Sequence, residues 1–221
     1  MSAIAFFDLD KTVLSINSAR AWVRAEHRAG RLGLRDLVQS AWWLGQYRLG
    51  FARMDDVLRD AISSLEGHPV GDFDERVARF WTDDVAPTVR PGALQVIERH
   101  REAGDLLVLL TAASRQLADN AADALGFDAV LANELQVTDG RFTGRMREPL
   151  CYGDGKVHHA TACAVEHSVD LSECTFYTDS YTDRLALEAV GHPVCVAPDP
   201  RLKRLAKSRG WRIEDWGRAT A

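Results

Sequence analysis

Short unbroken apolar runs recur along this chain, and between them lie segments whose apolar positions return every three or four residues. Residues 3–7, Ala-Ile-Ala-Phe-Phe, read as a strand buried on both faces, the kind found in parallel sheets. Similar runs at 105–111, 129–132, 174–178 and 194–197 predict further strands. Helical spacing predicts helices over 93–103, 116–125, 156–166, 184–190 and 200–209. Residues 135–137 and 141–145 alternate around Asp139-Gly140 and predict a hairpin. Strands separated by helices imply an α/β fold with a doubly wound parallel sheet.

From residue 15 to 90 the pattern is helical throughout. Asn17-Ser18 offers an N-cap to a helix that Gly30 closes. A second segment runs from Leu34 to Leu49, a third from Met54 to Leu65, and a fourth from Phe73 to the break at Arg90-Pro91-Gly92. Four amphipathic helices without intervening strands predict a small bundle over residues 15–90, inserted as a cap into a core made of residues 1–14 and 91–221.

Composition narrows the function classes. The chain has 221 residues, 46% hydrophobic and 27% charged, as an ordinary globular protein does. Its net charge is −5 with scattered Lys and Arg, which gives no support to nucleic-acid binding. No apolar stretch approaches the roughly 18 residues that span a bilayer. The N-terminus lacks the basic and apolar regions of a signal peptide, so a cytoplasmic location is the default expectation. Cys151, Cys163, Cys174 and Cys195 form no CxxC pair and are expected to be free, mostly buried thiols.

The chemistry-bearing residues stand at the ends of the predicted strands. The first strand runs into Asp8 and Asp10, with Thr12 behind. On an extended chain, residues two apart point the same way, so one crevice receives two carboxylates. That suits a hard cation, nucleophilic attack or both, and a solvated acidic turn is the plain alternative. The second strand ends Thr111-Ala112-Ala113-Ser114, either a phosphate cradle, a helix N-cap at Ser114, or both. Lys156 follows Gly-Asp-Gly at a helix start, where it opposes the helix dipole; an anionic partner or simple surface exposure would explain it. The strand at 174–178 ends in Asp179, with Asp183 four residues on, at a site or in a helix's first turn.

Asp-x-Asp-x-Thr, then a run ending in Thr111, then Lys156, then Asp-Ser-x-x-Asp after a strand: this order resembles the haloacid dehalogenase superfamily. The helical insertion after the first motif is similar to its phosphoserine-phosphatase-like subgroup. The resemblance implies a phosphatase that hydrolyses a small-molecule phosphomonoester with Mg²⁺ through an aspartyl-phosphate. Asp8 would be the nucleophile and Asp10 the general acid and base. Thr111 and the Ala112 amide would bind phosphate, and Lys156 would neutralise the transferring group. The Asp8 carboxylate, the Asp10 carbonyl and Asp179 would hold the metal, and Asp183 would join them through water or orient Lys156. Nine residues beyond the nucleophile, where phosphoserine phosphatases carry a Glu for the substrate's ammonium, stands Asn17; histidinol-phosphate relatives tend to have Asp there. Asn17, and Arg20 by its place near the presumed mouth, are the candidate substrate contacts, and Asn17 weakens phosphoserine as the substrate while leaving histidinol phosphate or another phosphomonoester open. Passage of the phosphoryl group to an alcohol, or a non-catalytic module binding through its cap, are the competing readings.

Overall fold

The four residues of β1 (Ile4–Phe7) are all buried, and their alternation accounts for the two layers around them. Ala5 and Phe7 enter one core, Ile4 and Phe6 the other. In this computed structural model, which describes residues 3–31 and 62–217, β1 is central to a six-stranded sheet. Its companions are β2 (Leu106–Ser114), β3 (Ala129–Asn133), β6 (Thr175–Thr178), β7 (His192–Val196) and β8 (Arg212–Glu214). The order is β3-β2-β1-β6-β7-β8, with every pair parallel. The order reverses between β1 and β6, and ligands of open α/β sheets bind in the crevice outside such a reversal.

Helices α3 (Pro91–Ala103) and α4 (Arg115–Leu125) cover the face of Ala5 and Phe7. On the other face lie α5 (Asp154–Glu166), α6 (Arg184–Ala189) and α7 (Pro200–Arg209). Cover on both sides is why the strands read as continuous apolar runs. The edge strand β8 was not expected: Ile213 stands between two charged residues, and pairing with β7 sets its conformation.

The chain leaves the sheet after Leu14 and returns at Val89, where the two form an antiparallel bridge. Arg90 braces the crossing, donating to the carbonyls of Leu14 (3.3 Å), Lys11 (3.2 Å) and Gly217. Between these points α1 (Ser18–Arg28) packs on α2 (Val70–Phe80), with the Trp22 ring edge-on to Phe80 at 5.1 Å. The expected fourth helix does not run on to residue 90. It gives way to a wide turn (Trp81–Val85) and a 3₁₀ turn (Ala86–Thr88), in which Pro87 has no N–H to continue the ladder. The second and third expected helices, with Trp42 and Trp43, fall mostly in 32–61, outside the described residues.

A hairpin of β4 (Leu135–Thr138) and β5 (Arg141–Met146) turns at Asp139 and Gly140, both with positive φ, as its sequence predicts. It grips the start of α2 through Val70 N–H to the Gly140 carbonyl (3.0 Å) and Gly67 N–H to the Phe142 carbonyl (2.9 Å). All four cysteines are buried and free. Among the described residues no helix is long and apolar enough to cross a membrane.

Candidate active site

Asp8 follows β1 in extended backbone (φ −74°, ψ 152°), so the two-residue repeat of the strand carries on to it. It shares the face of Ile4 and Phe6, which α5 covers. Lys156, the third residue of α5, meets it there. Its Nζ donates to Asp8 Oδ1 at 2.7 Å and to Asp183 Oδ2 at 2.8 Å, and all three residues are buried. Gly155 makes that approach possible: a Cβ at this position would lie 1.8 Å from the Leu150 carbonyl oxygen. Thr178 Oγ1 adds a 2.7 Å bond to Asp183 Oδ2, so Asp183 faces the lysine and not solvent.

After Asp8 the regular extension of the strand breaks. Residues Leu9–Val13 wind into a wide turn with Lys11 left-handed (φ 57°), closed by Leu14 N–H to the Leu9 carbonyl at 2.9 Å. The strand therefore does not run straight on to Asp10, yet Asp10 remains close enough to Asp8 for its charge to raise that carboxyl. The Asp10 carboxylate meets the first turn of α1, where Oδ1 accepts from Ser18 N–H (2.9 Å) and Oδ2 from Asn17 Nδ2 (2.9 Å). Asn17 Oδ1 in turn caps α1 by accepting from Arg20 N–H at 3.1 Å. The same turn brings Thr12 back to the strand ends. Its hydroxyl donates to Asp8 Oδ2 over a long 3.4 Å and accepts from Asp179 N–H at 3.0 Å. Thr12 was given no role from the sequence, although its place four residues after Asp8 is the signal.

Thr111 lies one row beyond Asp8 in the β1–β2 register. Strand β2 continues to Ser114 instead of ending at Thr111, and its pairing with β3 slips between Leu110 and Ser114. Across the slip Thr111 Oγ1 accepts from Ala113 N–H (3.1 Å), and Asn133 Nδ2 donates to the Ala112 carbonyl (2.8 Å). Ser114 also caps α4. Arg20 is exposed, and its backbone, not its guanidinium, contacts Asn17.

Negative charge is in excess here. Burial raises the Asp8 carboxyl to about 6 although Lys156 opposes the shift, with Asp183 and, more weakly, Asp10 adding to it. Burial, then the Asp8 charge, pushes Asp179 up to about 8. Burial raises Asp10 as well, against its bonds from Ser18. Burial alone would lower Lys156, but Asp183 and Asp8 outweigh it and hold the ammonium above its ordinary range. The Asp179 carboxylate receives no hydrogen bond from the described residues, and its nearest cation is Lys11 Nζ at 3.9 Å. An unbonded Asp179 carboxylate beside the buried Asp8 suits a hard divalent cation. No three acidic, histidine or cysteine side chains among the described residues converge as a cage. Two carboxylates and a carbonyl, completed by water and a phosphate, are the complement a small divalent ion takes.

The family profile described as haloacid dehalogenase-like hydrolase matches residues 5–188. The chain is 34% identical to the "Inhibition of morphological differentiation protein" of Streptomyces azureus, over 97% of this chain and 78% of that protein. It is 31% identical to phosphoserine phosphatase SerB1 of Mycobacterium tuberculosis, over 98% of this chain and 71% of that protein. Among solved structures, a protein with unknown function from Bordetella pertussis superposes with a TM-score of 0.91 at 28% identity, covering 98% of this chain and 99% of that one.

Proposed function

Because the chain belongs to the haloacid dehalogenase-like hydrolases, we propose that it is a phosphatase that hydrolyses small phosphomonoesters through an aspartyl-phosphate on Asp8. The observation that carries this reading is the buried ion pair of Lys156 Nζ with Asp8 Oδ1 at 2.7 Å, at the sheet's order reversal. A carboxylate there is aimed at the crevice, and the ammonium that holds it also counters the charge of an incoming phosphate.

Asp8 attacks phosphorus through a carboxylate oxygen. Asp10, in its protonated form, gives a proton to the departing ester oxygen as the P–O bond breaks. In the second half Asp10 takes a proton from the water that attacks phosphorus, and the Asp8–phosphorus bond breaks. Lys156 steadies Asp8 and the transferring oxygens, while Asp183 and Thr178 keep the ammonium in place. Thr111 and the Ala112 amide contribute contacts to phosphate from the slipped end of β2. Asp8, Asp179 and the main-chain carbonyl of Asp10 would hold Mg²⁺, which when bound supplies positive charge to the phosphoryl oxygens. Residues 15–90 act as a cap over a core of residues 1–14 and 91–221.

The test is phosphate release from p-nitrophenyl phosphate with Mg²⁺ by wild type and Asp8→Asn. The variant should fall to the uncatalysed background while keeping its fold. Equal rates in the two would end the catalytic reading, and transfer of the phosphoryl group to an added alcohol at the expense of free phosphate would replace hydrolysis with transfer.

A further inference from the structure

We propose that Asn17 is a positioning residue for Asp10, tying the proton shuttle to the first helix of the insertion, and is not a substrate contact. The inference rests on the reading of Asp10 as general acid and base. The Asn17 amide has two ends, and both are engaged within the protein. A backbone N–H can only donate, so the bond from Arg20 N–H (3.1 Å) requires the amide oxygen on that side. The NH₂ group is thereby turned to Asp10 Oδ2 at 2.9 Å, and the orientation follows from the network itself. Ser18 N–H fixes the other carboxylate oxygen at 2.9 Å. Two donors on two oxygens set the position and the plane of the carboxylate. Each oxygen keeps a further position free, to donate a proton to the leaving group when Asp10 is protonated or to accept one from the water when it is ionised.

No other side chain of this size offers both functions. Serine could cap α1 but would not reach Asp10 as the amide does. Aspartate could cap α1 but would set a second carboxylate against Asp10. Leucine would do neither. Asp10 thus depends on α1 for its aim, and a shift of α1 relative to the sheet would move the shuttle with it.

The consequence is a dependence on the leaving group. A p-nitrophenolate departs with little protonation, whereas a phenolate or alkoxide needs the proton from Asp10. The experiment measures kcat/KM for wild type, Asn17→Ser, Asn17→Asp and Asp10→Asn on aryl phosphates of similar shape whose leaving groups span pKa values of about 7 to 10, a range over which positioned general acids contribute up to roughly 10²–10⁴-fold. Asn17→Ser should lose no more than about tenfold on p-nitrophenyl phosphate and about a hundredfold on phenyl phosphate, approaching the slope of Asp10→Asn, as expected when general-acid help is weakened. Asn17→Asp keeps α1 capped but turns a carboxylate on Asp10, so its leaving-group slope should also depart from the wild-type slope, and a folding failure in one variant leaves the other to decide. KM should stay near the wild-type value in both.

An equal loss on every ester, with the slope unchanged, would reduce Asn17 to a helix cap. A raised KM with kcat preserved would make it a substrate contact. Either result leaves the phosphatase reading standing if Asp8→Asn is inactive; full activity in Asp8→Asn would overturn that reading instead.

Discussion

Replacing Lys156 with methionine keeps most of the length of the side chain and removes its charge, so stability rather than turnover reports the buried cluster. The side chains of Lys156, Asp8 and Asp183 are 3%, 9% and 3% exposed. Taking away the cation leaves two buried carboxylates uncompensated, a change that costs about 3–5 kcal/mol in comparable buried pairs. For a chain of this length each kcal/mol moves Tm by about 2–4 °C, so the variant should melt roughly 6–20 °C lower in metal-free buffer at pH 8.

The pH dependence gives the sharper test. Lys156 is held protonated above its ordinary 10.5, so in wild type the pair is intact throughout the neutral range. Asp8 stands at about 6 against an ordinary 3.8, chiefly through burial, and without the ammonium it would rise further. A carboxyl whose folded value lies above its unfolded value holds its proton more tightly when native, so stability falls as pH climbs through that interval. The loss from Lys156→Met should therefore be full at pH 8 and much smaller at pH 5, where Asp8 is protonated. Urea unfolding at both pH values, with EDTA and an unchanged m-value, measures it. In a double-mutant cycle with Asp183→Asn the coupling should exceed about 1 kcal/mol, as contacting charged pairs show. A penalty below about 1 kcal/mol at pH 8, or one equal at pH 5 and 8, would refute the argument, since buried unpaired charges do not come that cheaply.

Two further outcomes follow from the same geometry. Gly155→Ala drives a methyl group toward the Leu150 carbonyl, so it should cost more than about 2 kcal/mol in urea unfolding and lower activity through Lys156, while Gly71→Ala, with open space around it, should stay within about 1 kcal/mol of wild type. EDTA should abolish phosphate release and lower Tm, and Mg²⁺ should restore both, adding about 2.7 kcal/mol of stability at a hundred times its dissociation constant; a Tm indifferent to Mg²⁺ would count against Asp8 and Asp179 as its holders.

Much of the site was legible because its residues stand at element boundaries that local pattern reveals. The apolar run before Asp8 locates a strand end, the glycines before Lys156 a helix start, and the run before Asp179 another strand end. The hairpin at Asp139-Gly140 was legible for the same reason, since the turn needs residues that accept positive φ. Other features were not. The β8 strand has too little apolar content to declare itself, and the turn after Asp8 hands the Asp10 carboxylate to donors on α1 that no strand pattern reveals. The two uses of Asn17 were hidden as well, because an N-cap and a carboxylate holder look alike in one dimension.

By itself, then, the sequence determined most of the core elements, the parallel sheet and which polar residues occupy strand ends, because hydrophobic periodicity and backbone preferences are local properties. The tertiary structure alone decided who faces whom. Lys156 meets Asp8 across 148 residues only because α5 packs on the face of β1 that Asp8 inherits. Asp10 turns to Asn17 and Ser18 because α1 starts where the turn delivers its carboxylate. Such pairings depend on how helices seat against a sheet, a balance of burial and charge summed over distant parts of the chain, and no local pattern encodes that sum.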